Sequence, residues 1–114
     1  MPLVTLYSNV ERAPEIVTEL LREATTITAR ELEKPESIVM ARACMGDPMA
    51  MAGTEDPTLL VEVEGLGAED TASQGLTDAF CDLGQSALGV DPSRTFVKLH
   101  DVPRGRWGSN HKVF

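Results

Sequence analysis

The stretch LLVEVE, residues 59–64, decides the fold of this chain, because apolar and acidic side chains alternate along it. Alternation at every second residue is typical of a β-strand with one covered face. Residues 60–63 of this stretch resemble LVTL at residues 3–6, which lie 57 positions earlier. A second similarity at the same offset relates residues 34–40 to residues 91–97. Two similarities at one offset predict that the chain contains a duplicated unit.

We therefore expect one domain, residues 1–114, built from two halves of about 1–57 and 58–114. Each half reads strand, helix, strand, because an apolar run precedes apolar residues recurring at three- and four-residue spacing. The predicted elements are a strand over 3–7, a helix from Pro14 that ends before Pro35, a strand over 38–45, a loop or short hairpin over 46–56, a strand over 59–64, a helix over 72–88 and a strand over 95–100. The helical stripes are Ile16, Val17, Leu20, Leu21, Ala24, Ile27 and Thr28 in the first half, and Ala72, Gly75, Leu76, Ala79, Phe80, Leu83, Ala87 and Leu88 in the second.

Two βαβ halves with right-handed crossovers give an α/β (α+β) fold, a four-stranded mixed sheet with both helices on one face. The residues predicted to face the helices are Val4, Leu6, Val39, Ala41, Ala43, Val61, Val63, Val97 and Leu99. The opposite face carries Thr5, Tyr7, Met40, Arg42, Leu60, Glu62, Glu64, Phe96 and Lys98. This second face is too apolar for water and too charged for a dry core. It predicts a partly wet interface between subunits, so we expect an oligomer.

The charge of the chain excludes some classes of partner. Eighteen acidic against ten basic side chains give a net charge of −8. A charge of this sign opposes binding to nucleic-acid phosphates and to anionic membranes, so we expect neither partner. The distribution is uneven, since no Lys or Arg lies between Arg42 and Arg94, whereas residues 91–114 hold five bases and two acids.

Residue patterns that mark a metal or cofactor site are missing. Cys44 and Cys81 lie 37 positions apart, which matches neither a metal knuckle nor a CxxC pair, so we expect reduced and mostly buried thiols. His100 and His111 have no spacing that suits a set of metal ligands. Gly65-Leu66-Gly67 lacks the third glycine of a phosphate loop and is interpreted as a turn after a strand. No metal and no cofactor are expected.

The sequence also predicts where in the cell the protein is found. The opening MPLVTLYSNVERAP lacks the basic start and the long apolar run of a signal peptide. No window of the chain approaches the ~18 consecutive apolar residues that span a membrane. We expect a cytoplasmic protein, and release from the cell without a signal peptide stays open.

Met1-Pro2 provides the first candidate for a catalytic group. Aminopeptidases normally remove an initiator methionine that precedes a small residue such as proline, which would leave Pro2 with a free secondary amine. A terminal amine has an ordinary pKa of about 8, and burial or nearby cations lower it toward a general base that works at neutral pH.

Five features together resemble the macrophage migration inhibitory factor (MIF) family of the tautomerase superfamily. They are Pro2 opening a strand, the Lys34-Pro35 corner, EDPTLLVEVEGLG at 55–67, DPSRTFVKLHDV at 91–102 and WGSNHKVF at 107–114. The resemblance extends over the whole chain with almost no gaps. It implies a trimer of two-βαβ subunits with a central channel and three active sites at subunit interfaces.

The resemblance also implies roles for individual residues. Pro2 matches the catalytic base, and Lys34 matches the cation that holds a carboxylate or enolate oxygen of the substrate. Leu66 stands where the family has an isoleucine whose backbone amide helps to bind substrate. Asn110 and Phe114 match residues near the pocket at the end of the chain.

Phe96, Lys98 and Ser109 are among the positions that depart from the family pattern. Phe96 replaces a tyrosine that the neighbouring subunit supplies, so a hydroxyl donor is missing, and Lys98 replaces an asparagine two residues later. Ser109 stands where a tryptophan precedes Asn110, although Trp107 lies two residues before it. We count Phe96, Lys98 and Trp107 among the substrate-binding candidates, and we expect Lys98 to replace part of the missing tyrosine and asparagine.

The resemblance favours a keto–enol tautomerase acting on 2-oxo acids such as phenylpyruvate or on dopachrome-like compounds. Pro2 would remove a proton from the carbon next to the carbonyl, and Lys34 would stabilise the charge on oxygen. An alternative is a MIF-like signalling or binding protein with a vestigial pocket. A third is a ferredoxin-like small-molecule or metal-binding module, against which the lack of a cysteine-rich loop argues.

Overall fold

Eight regular elements make up the chain. The computed structural model describes all residues, 1–114. In chain order they are β1 (Pro2–Ser8), α1 (Pro14–Glu31), β2 (Met40–Cys44), β3 (Leu59–Leu66), α2 (Ser73–Leu88), β4 (Thr95–Val102), β5 (Gly108–Ser109) and β6 (Lys112–Val113). Short 3₁₀ turns at 36–38, 70–72 and 92–94 precede β2, α2 and β4, respectively.

The main sheet has the strand order β2-β1-β3-β4. β1 pairs parallel with β2 and β3 pairs parallel with β4, so each half of the chain forms one βαβ unit. The two units meet where β1 pairs antiparallel with β3, from Pro2 opposite Gly65 to Ser8 opposite Leu59. The predicted four-stranded mixed sheet with two helices is confirmed.

The core lies between the helices and one face of the sheet. Burial alternates along β3, because Leu59, Val61 and Val63 point toward the helices while the residues between them are only partly covered. Phe80 of α2 is the largest side chain that is completely buried. The rest of the buried apolar core is Val4, Leu6, Leu20, Ala24, Ile27, Leu76, Leu83, Leu88 and Val90.

The sheet face opposite the helices, which we call the open face, is not uniformly exposed. Met40 and Phe96 on the outer strands are 68% and 60% exposed, as expected for a face without a helix layer. Thr5 is only 5% exposed, although it was assigned to this face. Its strand β1 is central, and Arg42 of β2 and Glu62 of β3 flank it on either side.

Four local expectations need correction. The strand predicted over 38–45 is shorter, because Glu36–Ile38 form a 3₁₀ turn and Met45 follows the strand. Ile16, a member of the predicted helical stripe, lies in the first turn of α1 and is 44% exposed. Residues 108–113 form a hairpin that the sequence analysis did not predict. Cys44 and Cys81 are free but only partly buried.

No helix of the chain combines the length and the apolar character needed to cross a lipid bilayer.

Candidate active site

The start of β1 lies where three cavities meet. Their volumes are about 220, 370 and 240 Å³, and Met1 is the residue that lines all three. Pro2 lines the first two and is buried. A proline is suited to the first position of a strand, because it has no N–H to pair there. We call these three cavities around Met1 and Pro2 the cleft.

The end of α1 places Lys34 beside this terminus. The Glu33 N–H donates to the Arg30 carbonyl and the Lys34 N–H donates to the Ala29 carbonyl, at 3.3 and 2.9 Å. This is the hydrogen-bond pattern of a Schellman cap, with Glu33 in the left-handed region at φ 55°. Pro35 then prevents the helix from continuing. The cap holds the Lys34 backbone in place, and Lys34 lines the 220 and 240 Å³ cavities.

The end of β3 forms the opposite wall. Leu66 and Gly67 line the same two cavities as Lys34. A side chain at Gly65 would approach Leu32 and Ala68 to 3.3 and 3.2 Å, so the glycine permits the helix end to pack closely against the strand. The interpretation of residues 65–67 as a turn after a strand holds only for Gly67, with φ +71°, because β3 extends through Leu66.

The third wall is mainly apolar. The 370 Å³ cavity is lined by Pro2 and by Trp107, the only tryptophan. The other apolar members of this wall are Leu3, Ile38, Met40 and Val102. A planar or aliphatic body of a small molecule fits such a surface, with the polar groups of the cleft at its edge.

The electrostatics of the cleft favour an uncharged terminal amine. Burial, and after it the ammonium group of Lys34, holds the pKa of the Met1 amine below its ordinary value of 8.0. Both causes act on the charged form, since burial removes its hydration and a second cation repels it. An amine at this place is therefore available as a base nearer neutral pH than a terminal amine in water.

The whole chain, residues 1–114, matches the family model for macrophage migration inhibitory factor. The chain belongs to the MIF family. The D-dopachrome decarboxylase of Gallus gallus is 32% identical over 117 residues, which cover 99% of this chain and 97% of that protein. MIF of Mus musculus is 25% identical over 115 residues, covering 100% of this chain and 99% of that protein. Among solved structures, the MIF homologue of Prochlorococcus marinus has a TM-score of 0.90 at 31% identity, with 98% of each chain covered.

Four of the residues that the MIF resemblance singles out do not reach the Pro2 cleft within this protomer. Phe96 pairs with Leu60, opposite Tyr7 of β1, which places it about 16 Å along the sheet from Pro2. Lys98 pairs with Glu62, and its Nζ lies 3.8 Å from the Glu62 Oε2. Any role of these two side chains at a neighbour's site stays a prediction.

The other two residues, Asn110 and Phe114, belong to the carboxyl-terminal hairpin of this MIF-family chain or directly follow it. Asn110 and His111 occupy the tip of the β5–β6 hairpin with φ 50° and 61°. Two consecutive left-handed residues are the signature of a type I′ turn, in which asparagine is favoured. The Phe114 N–H donates to the Trp107 carbonyl at 2.9 Å. Asn110 and Phe114 therefore shape the segment that carries Trp107, and neither lines the three cavities.

The sequence analysis missed several residues of the cleft. Arg104 lines the 240 Å³ cavity and Arg106 lines the 370 Å³ cavity, whereas Glu33 and Glu69 line the smallest. The excess of bases after residue 91 was a signal for the two arginines. Their distance of about a hundred residues from Pro2 hides the contact in the sequence.

Proposed function

We propose that this protein is a keto–enol tautomerase of small 2-oxo acids such as phenylpyruvate, or of dopachrome-like compounds. The general base is the secondary amine that Pro2 acquires when Met1 is removed. The observation that carries the proposal is the shared cleft of the chain terminus and Lys34, in which burial and the lysine lower the pKa of the terminal amine.

The reaction needs only a proton transfer in two steps. The Pro2 nitrogen uses its lone pair to take a proton from the carbon next to the substrate carbonyl. The electrons of that C–H bond form the C=C bond, and the carbonyl oxygen becomes an enolate. Lys34 stabilises the negative charge on this oxygen, a fixed electrostatic contribution that is larger in a closed site than in water. The protonated Pro2 amine then returns its proton to the enolate oxygen, which gives the enol and regenerates the base, so no atom is gained or lost.

The relatives support this choice of substrate. The similar protein of Gallus gallus is named for the decarboxylation of D-dopachrome. The apolar wall with Trp107 suits a substrate with a ring, and Lys34 suits its carboxylate or carbonyl oxygen. We further propose that the protein works as a homotrimer, in which the open sheet face of one subunit meets its neighbour.

The test compares two forms of the protein that differ only at the amino terminus. One form has lost Met1, as established by its intact mass, and the other carries one additional residue before Pro2. We expect the first form to enolise phenylpyruvate and the extended form to lose this activity, because an amide nitrogen has no basic lone pair. Equal melting temperatures of the two forms serve as the control for folding.

Full activity in the extended form would eliminate Pro2 as the base. A form without Met1 that enolises neither phenylpyruvate nor D-dopachrome above the rate in buffer would favour the alternative, a MIF-like binding or signalling protein with a vestigial pocket. The hydroxyl missing at Phe96 is the feature that supports this alternative.

A further inference from the structure

Most cations of this acidic chain are already engaged within the protein. Of the ten lysines and arginines, six bond through their side chains to carboxylates, carbonyls, a hydroxyl or a sulfur. These six are Arg12, Arg22, Arg30, Arg42, Arg94 and Lys98. The other four have no such partner, and they are Lys34, Arg104, Arg106 and Lys112.

Three of these four unpaired cations surround the amino terminus. Lys34 and Arg104 line the 240 Å³ cavity, and Arg106 lines the 370 Å³ cavity with Pro2. Lys112 lines none of the three cavities. In a chain with a net charge of −8, these are the cations whose N–H donors stay free for an anionic ligand.

Carboxylates also line the cleft, and their positions decide which side receives an anion. Glu31, Glu33 and Glu69 line the 220 Å³ cavity beside α1, with Lys34 as its only cationic side chain. Glu64 lines the 370 Å³ cavity together with Arg106. The 240 Å³ cavity holds Lys34 and Arg104 against one carboxylate, that of Asp101. An anionic group is therefore favoured on the side of Arg104 and disfavoured beside α1.

The segment Pro103–Arg106, which we call the arginine turn, holds its two arginines on either side of one glycine. The Arg106 N–H donates to the Pro103 carbonyl at 3.2 Å, which closes a four-residue turn. Gly105 has φ +89°, and a type II turn requires a positive φ at this third position. The Gly105 N–H also donates to the backbone oxygen of Phe114, the last residue, so the turn is attached to the end of the chain. The two arginines are thus presented by an ordered backbone.

We propose that Lys34 and the arginine turn bind the two anionic ends of one substrate, so that the site takes a 2-oxo acid with a second anionic group. The inference rests on the proposed function and narrows its substrate class. Lys34 holds the 2-oxo acid end beside Pro2, the apolar wall with Trp107 covers the middle of the molecule, and the arginine turn receives the distal anion. Arginine suits this task, because its planar group donates two parallel hydrogen bonds to a carboxylate.

The experiment compares phenylpyruvate with 4-carboxyphenylpyruvate, which adds an anion at the far end of the same ring. The wild-type protein without Met1 is expected to show the higher kcat/KM for the dianion. In the double variant Arg104→Gln/Arg106→Gln the ratio of the two kcat/KM values falls about tenfold, as expected for the loss of a charge-assisted pair of hydrogen bonds. The matched control Lys112→Gln removes an unpaired cation outside the cleft and keeps the wild-type ratio.

Equilibrium binding separates this inference from the proposed function. Calorimetry with 4-carboxycinnamate and cinnamate, neither of which can enolise, measures the same preference without turnover. A preference for the dianion that the double variant loses supports the anion site even in a protein without tautomerase activity. An unchanged ratio in the double variant, or an equal fall in Lys112→Gln, overturns the inference, because the effect would then be absent or would reflect net charge alone.

Discussion

Met1 occupies the space in which the proposed chemistry would take place. It lines all three cavities at the start of β1, and with Met1 present the Pro2 nitrogen belongs to a peptide bond. Removal of one residue would both open the cleft and turn an amide into a secondary amine. The cation that lowers the pKa of the terminal amine is Lys34, whose backbone position is set by the left-handed residue Glu33 before it.

Lys34→Gln should raise the pKa of the terminal amine. The lysine is the second cause of the lowered pKa and burial is the first, so the value in the variant should rise while staying below 8.0. A titration of the Met1 amine by NMR in the protein that retains Met1 measures the change directly. In the protein without Met1, the rising limb of kcat/KM against pH should move to higher pH, because the base is then protonated over a wider range.

Lys112→Gln is the control for this titration, since it removes an unpaired cation that lines none of the cavities. Identical amine pKa values in the wild type and in Lys34→Gln would contradict the electrostatic role of Lys34. Lys34→Arg keeps the positive charge and should keep the pKa low.

The ends of elements, more than their middles, build the site. α1 contributes the cap that carries Lys34, β3 contributes Leu66 at its last position, and the segment after β4 contributes the arginine turn and Trp107. The middles of the same elements form the core, where Phe80 of α2 and Val61 of β3 have no exposed surface. The buried core therefore lies within the layers of helices and sheet, and the candidate site lies at one edge of the sheet.

Phe80→Ala should lower the free energy of unfolding by about 3–5 kcal/mol, the usual cost of removing a buried aromatic ring. The reason is that Phe80 is completely buried between α2 and the sheet. Urea denaturation measures the change, and Ile16→Ala, which truncates a 44% exposed residue of α1, should cost less than about 1 kcal/mol. A loss of under about 1 kcal/mol for Phe80→Ala would mean that α2 packs with another face toward the sheet.

The molecule as a whole is covered by helices on one face only. The other face of the sheet carries the exposed apolar side chains of Met40 and Phe96 beside the ion pair of Lys98 with Glu62. The His100 Nε2 lies 3.6 Å from the same Glu62 carboxylate and has no other partner in the protomer. Exposed apolar area next to incompletely satisfied polar groups is typical of a surface that meets another subunit.

The proposed trimer predicts that light scattering at micromolar concentration gives three times the monomer mass. Phe96→Glu should shift this mass toward the monomer, because it places a charge on the exposed face of β4. Ile16→Glu places the same charge on α1, which lies on the opposite face of the sheet, and should leave the mass unchanged. A monomer mass for the wild-type protein would exclude the trimer, and an equal shift in both variants would show that net charge and not the open face controls assembly.

Local patterns were sufficient for most of the fold. The alternation along β3 and the helical spacing around Phe80 predict elements whose buried faces agree with the structure. The hairpin of residues 108–113 escaped prediction, because its strands have two residues each and show no measurable alternation. The loop before β3 offers a second example, since Arg94 donates to the carbonyls of Met51 and Pro57, about forty residues away. No pattern in the neighbouring sequence predicts these hydrogen bonds.

The sequence by itself determined the strand–helix–strand order of both halves and the Met1-Pro2 start, and its resemblance to the family singled out Pro2 and Lys34 as candidates. Hydrophobic period and covalent order are local properties, so they can be read along the chain. Only the tertiary structure decided that Met1 separates three cavities and that Arg104 and Arg106 face the amino terminus. The physical reason is that the pairing of β3 with both β1 and β4 brings residues about a hundred positions apart to one edge of the sheet, where they line adjoining cavities.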